Sequence, residues 1–197
     1  AHEQVGNGRF TAARAADASP ATLAMTGFEL LEDHPDAGRH EAQQARLKLI
    51  EDEFRPQIQQ RGLYMLVDNA PHQALIDRVR GGVEFLYRCP HCLAEIGTGT
   101  GAHYVAVGWV QKVSNLILNV NIEIREVATN RVALVKSVDM RGNNDESWVR
   151  AVRYLVRDID DKRAMRQETG AEPCLFGWHL IDKRLRTVAI TEGEIDA

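Results

Sequence analysis

NLILNVNIEIREV, residues 115–127, alternates apolar with polar side chains. Leu116, Leu118, Val120, Ile122 and Ile124 take one face, and Asn119, Asn121, Glu123 and Arg125 take the other. That period of two fits the pleat of a β-strand and not the 3.6-residue turn of a helix. The stretch before it, HYVAVGWVQKV (103–113), is apolar on both faces, as a central strand would be. After it, ATNR makes a hairpin turn and VALVKSVDM (132–140) returns, with Ser137 and Asp139 on its polar side. Three successive strands with short connections predict an antiparallel meander over 103–140.

RGNNDESW closes the meander and opens a helix. Asn143 is the expected N-cap, with Glu146 three residues on at capping-box spacing. Asp145 and Glu146 complement the dipole in the first turn, and Trp148, Val152, Leu155 and Ile159 form an apolar stripe over 145–159.

Upstream, TLAMTGFELL (22–31) is a strand stopped by EDHPDAG, and His40 to Gln60 turns helical through Leu47, Ile50, Phe54 and Ile58. Pro56 is expected to kink or restart that helix, and Gly62 to end it. LYMLVD (63–68) reads as a second strand, and APHQALIDRVRGG as a short helix with Pro71 near its first turn. The segment CPHCLAEIGTG forms another helix that ends in glycines. The expected fold is α/β: a single sandwich of helices on a mixed sheet, ending in the three-stranded meander and a helix. Residues 1–20 are expected to be a flexible arm, 21–160 the α/β domain, and 161–197 a C-terminal extension, charged and then weakly strand-like, with no assigned place in the fold.

Composition narrows the function. The chain has 197 residues, 44% hydrophobic and 26% charged, with a formal net charge of -4. No strong field is present to attract nucleic acid. No run approaches the roughly eighteen apolar residues of a membrane span. The opening AHEQVGNGRFTAARAADASP is polar and small, as a mature terminus is after signal removal, so an exported, periplasmic protein is expected.

VEFLYRCPHCLAEI (83–96) holds two of the three cysteines, Cys89, Cys92 and Cys174. Its C-P-H-C core resembles the active site of periplasmic disulfide-forming oxidoreductases. On that reading Cys89 is the nucleophile, its thiolate stabilised at a helix start, and Cys92 resolves. VEFLY would be the delivering strand, and Pro173 the proline opposite the dithiol. The element order opposes it, because about eighty residues of β-α-β-α pattern come first where a thioredoxin-like domain needs little more than one unit. The other reading is a Cys89–Cys92 disulfide that staples a helix start in an oxidising compartment, leaving Cys174 unpaired or linked between molecules. No second C-x-x-C and no H-E-x-x-H is present, and RGNNDESW lacks the ligands of a calcium loop. Neither a metal nor a cofactor is expected.

The words GWVQKVSNLILN, SVDMRGNNDESW and YLVR, within 108–158, resemble a family of uncharacterised secreted bacterial proteins. Its members are often encoded near quinoprotein (PQQ-dependent) alcohol dehydrogenases in methylotrophic and related proteobacteria. They tend to carry two cysteines just ahead of the third strand, matched here by Cys89 and Cys92. The resemblance spans about residues 22–158 and implies a fold like the amino-terminal domain of TolB. It implies location and context, not a catalytic residue.

Candidate binding residues lie on the polar side of the meander, where Lys112, Asn119, Asn121, Ser137 and Asp139 are expected to share one surface. Arg141, Asn144 and Asp145 in the following loop join them. Competing readings are a merely solvated sheet face, or asparagines that satisfy backbone groups beneath a covering loop. The function expected is a non-catalytic periplasmic accessory or binding protein with a protein partner or small ligand. The alternative is a thiol-disulfide oxidoreductase using Cys89 and Cys92.

Overall fold

A computed structural model describes residues 20–32, 38 and 40–167. The strands are β1 (Thr22–Glu32), β2 (Met65–Leu66), β3 (Tyr104–Lys112), β4 (Ile117–Glu126) and β5 (Val132–Arg141). The helices are α1 (His40–Gln60), α2 (Gln73–Gly81), α3 (Pro90–Thr100) and α4 (Asp145–Gln167), with short 3-10 turns at Ala70–His72 and Leu86–Arg88. The five strands form one sheet in the order β2-β1-β3-β4-β5. β1 runs parallel to β2 and β3, while β3, β4 and β5 are antiparallel. The mixed α/β fold, the meander and its closing helix are therefore those expected. One compact unit spans Ala1–Asp160 and a second Asp161–Ala197; of the second, only the end of α4 is described.

Two apolar cores lie on opposite faces of the sheet. Leu118, Val120, Ile122 and Ile124 of β4 pack with Leu47, Ile50, Phe54 and Ile58 of α1 and Trp148, Val152 and Leu155 of α4. On the other face Ala24, Val105 and Val107 meet Ile76 and Val79 of α2 and Leu93 and Ile96 of α3. That second core draws its strand residues from β1 and β3, so α2 and α3 cover only part of the sheet.

An irregularity in β1 decides which side chains reach each face. Leu23 and Met25 belong to the α1/α4 core, but beyond the register shift between Met25 and Phe28 it is Phe28 that does. The extra residue of the bulge switches the parity of the strand and turns Glu29 toward the α3 face. Gly27 makes this possible with φ +95°, a conformation that side chains disfavour. The carbonyls displaced from the ladder are satisfied: Arg55 and Asn69 donate to Met25 O, and Arg80 donates to Thr26 O.

Several expectations need correction. α1 runs unbroken through Pro56. The carbonyl that Pro56 leaves without an i+4 donor is that of Asp52, and both residues are exposed, so the carbonyl is not stranded in the core. Gly62 does end the helical stretch, at φ +61°, with Leu63 N–H donating to Ile58 O and Gly62 N–H to Gln59 O. The strand expected over 63–68 shrinks to Met65–Leu66. Asp68 Oδ1 accepts the Ala70 N–H, and this local turn diverts the chain from the sheet. VEFLY is not a strand, because Leu86–Arg88 is a 3-10 turn. Leu116 falls in the β3–β4 connection and is 72% exposed. Residues 1–19 of the expected arm, Pro173 and Cys174 lie outside the described residues.

The N-cap of α4 is Asn144 rather than Asn143. Its Oδ1 accepts the Ser147 N–H at 2.9 Å, while Ser147 Oγ accepts the Asn144 N–H. Asn143 is used differently: its Oδ1 accepts from the Trp148 indole N–H at 3.0 Å and from Arg46 at 3.1 Å.

Candidate functional site

The face of β3–β4–β5 opposite α1 and α4 carries a polar band whose rows follow from the register. Trp109 stands opposite Asn121, which stands opposite Ser137; one step along, Gln111, Asn119 and Asp139 line up. Asn119, Asn121, Ser137 and Asp139 thus share one surface. Ser137 and Asp139 are exposed, whereas Asn119 is half-buried and Asn121 is only 8% exposed. Asn121 Nδ2–H donates to Asn119 Oδ1 at 2.6 Å and to Trp109 O at 3.4 Å. Next along β4, Glu123 and Arg125 pair with each other, and Arg125 donates to Asn130 O. The β4 side of the band is internally satisfied; the β5 side is open.

Lys112 does not belong to this band. It sits opposite Leu118, on the α1 side, and bonds Glu32 at 2.6 Å with both side chains almost fully buried. Gln43 adds an N–H to the same Glu32 oxygen at 2.8 Å. Asp145, expected to be available for recognition, is engaged with Arg46 at 2.8 Å. Arg141 and Asn144 are exposed at the end of the band, although the Asn144 side chain is committed to the helix cap.

The band runs between two concavities. At the β5 end a groove of about 460 Å3 is lined by Ser137, Asp139, Met140, Arg141, Arg150 and Tyr154, between the last strand of the sheet and α4. At the β3 end a polar cleft of about 460 Å3 holds Glu32, Glu84, Phe85, Tyr87, Arg88, Trp109 and Gln111. Tyr87 stacks on Trp109 with centroids 4.7 Å apart, and the Arg88 guanidinium lies 5.3 Å from the Phe85 centroid and 5.2 Å from that of Tyr87. This aromatic cluster was missed from the sequence. Its signal was slight: F-x-Y inside an apolar run, and one tryptophan in a strand.

Glu29 positions the cluster. Its Oε1 accepts the Leu86 N–H at 2.8 Å and its Oε2 the Tyr87 N–H at 3.2 Å, which fixes the 3-10 turn beside Trp109. Burial pushes its carboxyl above the ordinary value of 4.5, against the two backbone N–H groups and the charge of Arg80. A raised folded value means that this group's stabilising contribution is complete below its unfolded value and is lost as pH rises through the folded one. Thermal melts taken upward from pH 4.5 should therefore contain a falling component that Glu29→Gln removes. An unchanged pH slope in the variant would refute the assignment.

The C-P-H-C segment lies at the start of α3, immediately after Tyr87 and Arg88 of the aromatic cleft. Cys89 is the residue preceding the helix, and its Sγ lies 2.01 Å from that of Cys92, at disulfide distance. Both cysteines belong to the α2/α3 core and are 6% and 5% exposed. His91 is exposed, with Nε2 3.2 Å from Cys89 Sγ and 3.6 Å from Cys92 Sγ.

Together these features define a mixed-sheet α/β domain with an antiparallel meander and a helix-start cysteine pair. The chain belongs to the DUF3280 family, described as a protein of unknown function (DUF2380), whose model matches residues 21–159. No curated protein matches the sequence. Similar solved structures include the LpoB C-terminal domain from Salmonella enterica: 12% identity, TM-score 0.39, 64% of this chain and 87% of that one. The PelC dodecamer from Paraburkholderia phytofirmans gives 15%, 0.44, 74% and 91% for the same measures. TolB from Acinetobacter baumannii gives 12%, 0.38, 78% and 30%. No described helix is long and apolar enough to cross a membrane.

Proposed function

We propose that the protein is a non-catalytic accessory or binding protein of the bacterial periplasm and that it engages a protein partner or small ligand through the polar band. The observation that carries this reading is the alignment of Ser137 and Asp139, both exposed, with the asparagine pair and the Trp109–Tyr87 stack on a sheet face that α2 and α3 leave partly uncovered. The narrower setting, support of quinoprotein-dependent alcohol oxidation, comes from the family resemblance of residues 108–158 and is part of the proposal.

Variants separate recognition from structure. Asp139→Ala and Arg141→Ala change exposed side chains, so stability should move by less than about 0.5 kcal/mol. Asn121→Thr removes a buried hydrogen-bonding amide and should cost about 1–3 kcal/mol. Partner binding, measured with purified components once the partner is captured from native periplasm, should weaken in the first two variants. Full binding in both would remove the band from consideration.

The second reading is a thiol-disulfide oxidoreductase, favoured by the His91 ring beside Cys89 Sγ at a helix start. Against it stands the burial of both cysteines, which withholds the nucleophile from a protein substrate. Titration against glutathione decides. A structural bridge should lie below about -300 mV, whereas a catalytic oxidant of this type should sit near about -120 mV. Alkylation of unreduced protein, read by mass spectrometry, should label neither Cys89 nor Cys92.

A further inference from the structure

We infer that Cys89, His91 and Cys92 form a latent metal site, closed while the cysteines are bridged and opened by reduction to bind a soft d10 cation, Zn2+ or Cu+. Each residue offers one ligand atom, and these atoms lie within 4.8 Å of one another. Two thiolates with one imidazole form a soft donor set, which favours these ions over Mg2+ or Ca2+.

The separations match those of a shared ion. Metal–sulfur and metal–nitrogen bonds of about 2.3 and 2.0 Å at a tetrahedral angle set a sulfur–nitrogen separation of about 3.5 Å. His91 Nε2 already stands 3.2 Å from one sulfur and 3.6 Å from the other. What a metal requires is that the two sulfurs separate, and breaking their bond allows this. The N-cap and first turn of α3 hold the two cysteines, with the Leu93 N–H donating to Cys89 O, so the backbone of the site persists when the bridge opens. The imidazole is the exposed member, so an ion reaches the buried sulfurs from the His91 side. Three protein ligands leave a fourth position for water or an incoming ligand.

The chemistry balances with a dithiol as reductant. The Cys89–Cys92 bond breaks and takes two electrons and two protons from the dithiol, which becomes a disulfide. Binding of the cation then releases the two thiol protons. The state of the bridge would set whether the ion is held, and no catalytic role for Cys89 is needed.

The test titrates the intact chain with Zn2+, and separately with Cu+, against a competing chelator, after phosphine reduction and in the oxidised form. Reduced protein should bind one ion and oxidised protein none; the ion bound more tightly names the site's metal. His91→Ala changes an exposed side chain and should leave the far-ultraviolet circular dichroism unchanged. Its affinity should nevertheless fall by at least about tenfold, since even an outer partner of a metal ligand is worth that much. The same stoichiometry is expected in a Cys174→Ser background. Undiminished binding by His91→Ala overturns the three-ligand site, as does binding by oxidised protein. Failure of reduced protein to bind either ion, or loss of its fold on reduction, also overturns it.

Discussion

Trp148→Ala should destabilise the domain by about 3–5 kcal/mol, read as a lowered midpoint of chemical unfolding. The indole is fully buried between α4 and the sheet, and its N–H donates to Asn143 Oδ1 at 3.0 Å. Truncation leaves a cavity and removes one of the two donors to Asn143 Oδ1, leaving Arg46. Trp148→Phe retains most of the volume and deletes the donor, so its loss should be smaller, about 1–2 kcal/mol. The same loop carries Asn144 and follows directly on Arg141, so Trp148→Ala should also loosen the β5 end of the polar band. Hydrogen exchange at Gly142 to Asp145 measures that loosening. A midpoint shift under about 1 kcal/mol would contradict the packing described.

Lys112→Met should cost a similar amount, about 3–5 kcal/mol, for a different reason. The side chains of Lys112 and Glu32 are 8% and 6% exposed, and their 2.6 Å contact is the main compensation for burying two charges. Removal of the ammonium strands the carboxylate with Gln43 as its remaining side-chain donor. The partner change, Glu32→Gln in the Lys112→Met background, should recover much of the loss, because an uncharged pair of similar volume carries little desolvation cost. A double-mutant cycle then gives a large coupling energy. Additive single effects would show that the pair is not a unit.

What the sequence disclosed follows from periodicity. The alternation of β4 and the stripes of α1 and α4 are repeated signals, each supported by four or more apolar residues, and they lead directly to the observed elements. What it hid depended on single residues and on tertiary register. Lys112 looks like a solvent-facing lysine at a strand end, and only the pairing with Glu32 on β1 explains why it turns inward. In Asn143-Asn144 both residues suit an N-cap, and the choice was settled by Trp148, whose indole needed the first of them. The bulge at Thr26-Gly27 has no periodic signature, yet it turns Glu29 toward the Leu86–Arg88 turn and so builds the aromatic cleft. Among the expected binding residues, Asn119, Asn121, Ser137 and Asp139 were grouped correctly because alternation alone fixes which residues share a face. Lys112 was not, because an ion pair with Glu32 on β1 decides its orientation.

The central claim is that recognition occurs on the β5 side of the polar band and not at the cysteine pair. Site-specific photocrosslinking in the native periplasm tests it most directly, with a photoreactive amino acid placed in turn at Ser137, at His91 and at Leu49 on the outer face of α1. The account predicts a discrete adduct from Ser137 that Asp139→Ala diminishes, and none from His91 or Leu49. An adduct from His91 with none from Ser137 would contradict it.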